Sequence, residues 1–137
     1  MKGLPSLIKL HKWELEEERK VLAALLSARQ DLEDRAAQIR IDMAAARQNA
    51  NNINWLFAYP PYADASYKQL DRLAESVTEL DGKIDVAEER VADAFKELKK
   101  YEVALERQLQ RERLKAERRD QIILDEIALN AHRRKAG

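Results

Sequence analysis

Apolar residues recur every three or four positions along most of this chain. In the first half, Ile8, Leu15, Leu22, Ala36, Met43, Ala50 and Phe57 share one heptad position, and Leu25, Leu32, Ile39, Ala46 and Ile53 share the other. His11, Glu18 and Arg29 interrupt the series. The second half repeats the spacing without a polar break: Leu70, Leu73, Val77, Leu80, Ile84 and Ala87, then Val91, Ala94, Leu98, Tyr101 and Leu105. A spacing of roughly 3.5 residues held this long predicts a supercoiling seam rather than the face of a globular helix. Past Leu105 the same register lands on Gln108, Glu112, Lys115 and Arg119, which are not seam residues.

Proline and its neighbours punctuate the pattern. Pro5 suits a first helical turn, where its missing N–H loses nothing. The stretch "FAYPPYAD" holds Pro60 and Pro61, which remove two backbone donors and disfavour helix in the residue before each. Ser66 with Gln69 has capping-box spacing, and Asp64 is a rival N-cap. The elements expected are a first helix over about residues 5–57, a tip at about 58–65 and a second helix over about 66–134. Gly82 falls inside the second and should cost about 1 kcal/mol against alanine.

Two long helices joined by a short break fold back as an antiparallel hairpin. The fold class expected is therefore all-α: one coiled-coil domain over residues 1–137, its C-terminal helix overhanging. With the bend at the prolines, facing residues have numbers that total roughly 122. Arg29, Arg35, Arg40 and Arg47 then oppose the acidic stretch from Asp71 to Asp93, and Glu14, Glu16, Glu17 and Glu18 oppose Arg107 and Arg111. The first helix gives out opposite about residue 117, leaving about 18 residues, roughly 27 Å of helix, without a partner. Yet Ile122, Ile123, Leu124, Ile127 and Leu129 restore an apolar stripe there. An isolated helix of that length is marginal in water, and an exposed stripe of this kind marks an interface.

Composition narrows the class further. Charged residues are 36% of the 137, and glycine and proline number three each, which favours long helices over a loop-rich globule. There is no cysteine, so disulfide and thiolate chemistry are excluded and a reducing, cytoplasmic setting is expected. No apolar run approaches the roughly 18 residues of a membrane span. The opening "MKGLPSLIKLHKWELEEE" turns acidic before a secretory apolar stretch develops. Net charge is zero, so nothing global points to nucleic acid.

Candidate chemistry is sparse. There is no phosphate loop or metal motif, and His11 and His132 lack neighbours at ligand spacing. Neither an enzyme nor a cofactor is expected. Arg107, Arg111, Arg113, Lys115, Arg118 and Arg119 form a basic stretch, but Glu112, Glu117 and Asp120 are interleaved and no aromatic residue is present to stack on bases. A solvated face or a docking surface for an acidic collar suits it better than nucleic acid. Trp55, Phe57, Tyr59, Tyr62 and Tyr67 gather near the bend, where packing is the first expectation and a binding patch the second.

Four stretches carry a family resemblance: "LIKLHKWELEEERKVLA", "YADASYKQLDRLAESVTELDGKI", "FKELKKYEVALERQLQRERLKAE" and the ending "LDEIALNAHRRK". Together they resemble the FliJ family of the flagellar type III protein export apparatus. The resemblance implies a two-helix stalk whose terminal end enters the hexameric export ATPase ring. It also implies that the region nearer the tip contacts the export gate in the membrane, and that the protein handles export chaperones. Residues expected at the ring are Arg118, Arg119, Ile122, Ile123, Ile127, Leu129, Arg133 and Arg134. Those expected at the gate are Tyr67, Leu70, Leu73, Ala74 and Val77. The protein would be cytoplasmic, held peripherally at the inner membrane through the apparatus, without direct membrane insertion and without a nucleic-acid partner. The alternatives are the equivalent stalk of an injection-type secretion system and a structural homodimeric coiled coil.

Overall fold

The computed structural model describes residues 3–49 and 53–136. It contains two helices, α1 (Leu4–Gln48) and α2 (Ile53–Ala136), and is an all-α helical hairpin. Pro5 occupies the first turn of α1, as its missing donor allows. Arg47 in the last turn of α1, and Arg133, Arg134 and Lys135 in that of α2, oppose the negative ends of the helix dipoles.

The bend is not where the prolines suggested. α1 ends at Gln48 rather than near residue 57, and α2 begins at Ile53 rather than near residue 66. The expected tip, residues 58–65, is helical, and Pro60 and Pro61 lie inside α2. Phe57 therefore belongs to the second helix and is 81% exposed. Ser66, taken as a cap, is buried mid-helix, and Asp64 is mid-helix too. Proline's fixed φ is itself helical; what it forfeits is a donor to the carbonyl four residues back. Here those carbonyls belong to Leu56 and Phe57, residues that are 63% and 81% exposed. Ala50, assigned to the seam from its spacing, lies outside the described residues, as does the side chain of Ile53.

Moving the bend moves the register. Arg29 meets Asp81 and His11 meets Tyr101, so paired numbers total 110 and 112 rather than 122. Apart from Phe57, the described seam residues are buried or half-buried as the heptads predict. The structure divides into two compact units, Glu14–Ala94 and Met1–Trp13 with Phe95–Gly137. In the first, Leu15, Met43, Ile84 and Ala87 are buried, and Leu22, Leu25, Leu32, Ala36 and Ile39 are half-buried. Arg29, one of the polar interruptions, sits in the seam half-buried. Its Nε donates to Asp81 Oδ1 at 2.6 Å and its Nη1 to Glu33 at 2.6 Å. The hydrogen bond to Asp81, with the charges of Asp81 and Glu33, raises its pKa further above the ordinary value. Arg47 does not meet an acid as expected. It donates to the hydroxyls of Tyr59 at 2.7 Å and Tyr67 at 3.3 Å. Glu16 and Glu17 pair along their own helix, with Arg19 and Lys20.

In the second unit Leu4, Ile8 and Leu98 are buried. His11, another interruption, stacks on Tyr101 with ring centroids 4.6 Å apart and planes 14° from parallel. That flat contact lets an imidazole occupy a seam position as an aromatic disc.

Gly82 is a helix-interior glycine with no positive φ and nothing within 4 Å of where a Cβ would stand. Neither a turn nor a close approach requires it. Gly82→Ala is therefore expected to stabilise the protein by about 1 kcal/mol, measured by urea unfolding. A loss of stability would mean that the open space beside it is occupied in solution.

Candidate functional site

The register sets the length of the unpaired helix. Leu4 begins α1, and with pairs totalling about 112 its opposite number falls near residue 108. The unpaired part of α2 is thus longer than the sequence alone suggested, roughly 29 residues or about 44 Å. Burial agrees: from Leu109 to Ala136 every residue is exposed except Ala116, which is half-buried.

All eight residues expected at the ring lie on this segment and are exposed. Ile122 is 60% exposed, Ile123 49%, Ile127 58% and Leu129 55%. Leu124 is equally open, and Leu109 and Leu114 join them because the shifted register brings the start of α1 opposite an earlier point of α2. Sequence reasoning missed those two because it paired them with α1; the corrected register is the signal that exposes them. The apolar residues do not form a single narrow stripe. Ile123 and Ile127, four apart, share one side of the helix, whereas Ile122 and Leu129, seven apart, share another. Leu124 widens the first side further. The apolar residues thus occupy more than one side of the helix. Arg118 and Arg119 precede this cluster and Arg133 and Arg134 follow it, and none of the four makes an ion pair among the described residues.

The five residues expected at the gate are placed differently. Leu70, Leu73 and Val77 are half-buried seam residues. With Ala74 they line a groove of about 340 Å³ opposite Leu32 and Ala36. Tyr67 is half exposed, and its hydroxyl accepts from Arg47. Only Tyr67 and Ala74 offer open surface, so this group presents a groove edge rather than a patch.

Close to the start of α2, Trp55, Tyr59 and Tyr62 pack as a triangle with ring centroids 6.0–6.3 Å apart. This is the packing expected of aromatics near a bend. Leu56 and Phe57 stand outside it, exposed. Among the described residues no group of three His, Asp or Glu side chains is placed to hold a metal, and no helix is long and apolar enough to cross a membrane.

Neither a curated protein nor a solved structure matches the chain. A family does: the one described as Flagellar FliJ protein matches residues 1–137, the whole sequence, and the chain belongs to that family.

Proposed function

We propose that this chain is a non-enzymatic stalk whose free C-terminal helix enters the ring of the flagellar export ATPase and couples it to the export gate. The family carries a role in flagellar export. The observation that supports the finer reading is the exposed cluster from Ile122 to Leu129. A flat partner would cover one side of that helix and leave the other wet. The hole of a ring covers both at once. The unpaired arginines before and after the cluster suit acidic collars at the two levels of such a hole, and charge there speeds and orients entry more than it adds affinity.

The proposed gate contact is the groove edge at Tyr67, Leu70, Leu73, Ala74 and Val77, in the unit nearer the bend. Ring and gate would then meet different parts of one chain, as coupling requires. Handling of export chaperones belongs to the same reading and rests on the family alone.

Hydrolysis of ATP by the purified cognate ATPase tests the ring contact. The full chain is expected to stimulate turnover, and a chain stopped after Asp120 is expected to lose that stimulation. Equal stimulation by both would move the contact out of the apolar cluster. No stimulation by either, with both proteins folded, would remove the stalk reading.

A further inference from the structure

The zero net charge of this chain conceals a division. The unit containing the C-terminal helix has 15 Lys and Arg against 8 Asp and Glu, a net +7. The unit Glu14–Ala94 has 10 against 17, a net −7. Each is the other's electrostatic complement.

The acidic unit also has an apolar groove. It measures about 490 Å³ and is floored by Val21, Leu25, Gly82, Val86 and Ala87. Gly82 deepens it, since no side chain fills the space beside that backbone. Val21 and Val86 are 50% and 51% exposed at its edges. Glu79, Lys83 and Arg90 complete the lining. Lys83 and Arg90 therefore put two positive charges within the groove, with Glu79 at its near end, while Glu75 lies before it along α2 and Glu89 and Asp93 lie toward its far end. None of these six makes an ion pair among the described residues.

The C-terminal helix carries the inverse pattern. Asp125 and Glu126 sit in the middle of its apolar cluster, with Arg118 and Arg119 on one side and Arg133 and Arg134 on the other. Laid antiparallel to α2 with its two acids opposite Val86 and Ala87, this segment places them between Lys83 and Arg90. Its arginine pairs then fall near Asp93 at one end and near Glu75 and Glu79 at the other. On the side of the helix that carries these acids, Ile122 and Leu129 meet the apolar floor.

We infer that the groove floored by Val21, Leu25, Gly82, Val86 and Ala87 binds the C-terminal helix, residues 118–134, of a second copy of this chain. Charge pattern and apolar content select that occupant together. A helix with uniform basic charge would meet Lys83 and Arg90 unfavourably, whereas this one places acids there. The contact does not depend on the export ATPase. It covers Ile122 and Leu129, two of the residues that the stalk reading requires, so a self-associated chain would be withheld from the ring.

Sedimentation of the purified full chain tests this without any partner. At about 0.05 M salt it should associate, and at about 0.5 M, where the Debye length is a few ångströms, it should be monomeric. Two charge reversals probe the register: Asp125→Lys with Glu126→Lys, and Lys83→Glu with Arg90→Glu. All four positions are on the surface, so the hairpin should stay folded, as circular dichroism would check. Each double variant alone should weaken self-association at least tenfold. An equimolar mixture should restore it, because the predominantly basic helix of one then meets the acidic groove of the other. Tighter association of the Asp125→Lys, Glu126→Lys chain alone would show attraction by bulk charge without this groove and would overturn the proposal. So would a monomer at low salt at about 100 µM chain, or association that survives truncation after Asp120. These outcomes are read from mass alone, so they stand apart from success or failure in the hydrolysis assay.

Discussion

Replacing Pro60 and Pro61 together by alanine is expected to stabilise this protein by roughly 3 kcal/mol or more. Both prolines lie within α2, the eighth and ninth residues of an 84-residue helix. Each lacks the N–H that would bond the carbonyl one turn back, and an interior proline costs about 3 kcal/mol against alanine. Alanine restores the donors to Leu56 and Phe57 and has the best helix propensity. The two costs are adjacent, share one local distortion and will not add fully. The gain should raise the melting temperature by roughly 3 °C for each kcal/mol, as a chain of this size implies. Thermal and urea unfolding followed by circular dichroism would measure it. The sign is the informative part. If the chain turned at residues 58–65, alanines there would favour helix through the bend and oppose the fold. Destabilisation, or a change in oligomeric state, would return the turn to the prolines.

The same site shows what was legible in the sequence and what was not. The seam was legible, because burial repeats at the heptad spacing in both helices and few other forces produce that period. The position of the bend was less legible, because proline is the loudest local signal. Two quieter signals pointed elsewhere. Asn49, Asn51, Asn52 and Asn54 form the kind of cluster that favours turns. Trp55, Tyr59, Ala63, Ser66 and Leu70 are spaced by fours and threes straight across the prolines, and all five are buried or half-buried. A seam that continues through a proline pair outweighs the pair, since a shift of the bend changes every layer while the prolines cost only their own bonds. The error propagated to the register, which is a sum over the whole hairpin, and through it to the length of the free helix. The eight residues proposed for the ring stay on the free helix because they lie beyond the reach of α1 under either register.

Ile84→Asp and Ile123→Asp are the same substitution, yet their effects should differ in kind. Ile84 is 6% exposed in the seam, next to the layer that Arg29 and Asp81 close. An aspartate there removes a buried side chain and leaves a carboxylate where Asp81 already occupies the nearby guanidinium. Loss of the apolar contacts alone costs about 2–5 kcal/mol, and an unpaired buried charge adds to it. This variant should fall into the rare class that loses more than about 4 kcal/mol, and its helical signal at room temperature should drop with it. Ile123 is 49% exposed on the unpaired helix. Aspartate there should move the unfolding transition by no more than about 0.5 kcal/mol, the range of ordinary surface changes. It should nevertheless abolish stimulation of the export ATPase, because a carboxylate would have to enter an enclosed contact without a partner. Unfolding curves and hydrolysis rates on the two variants separate the roles of the two isoleucines. If Ile123→Asp unfolded the chain as Ile84→Asp does, the C-terminal cluster would be core. If it left both fold and stimulation intact, the apolar cluster would have no part in the ring contact, and the exposed helix would need another reason for its isoleucines.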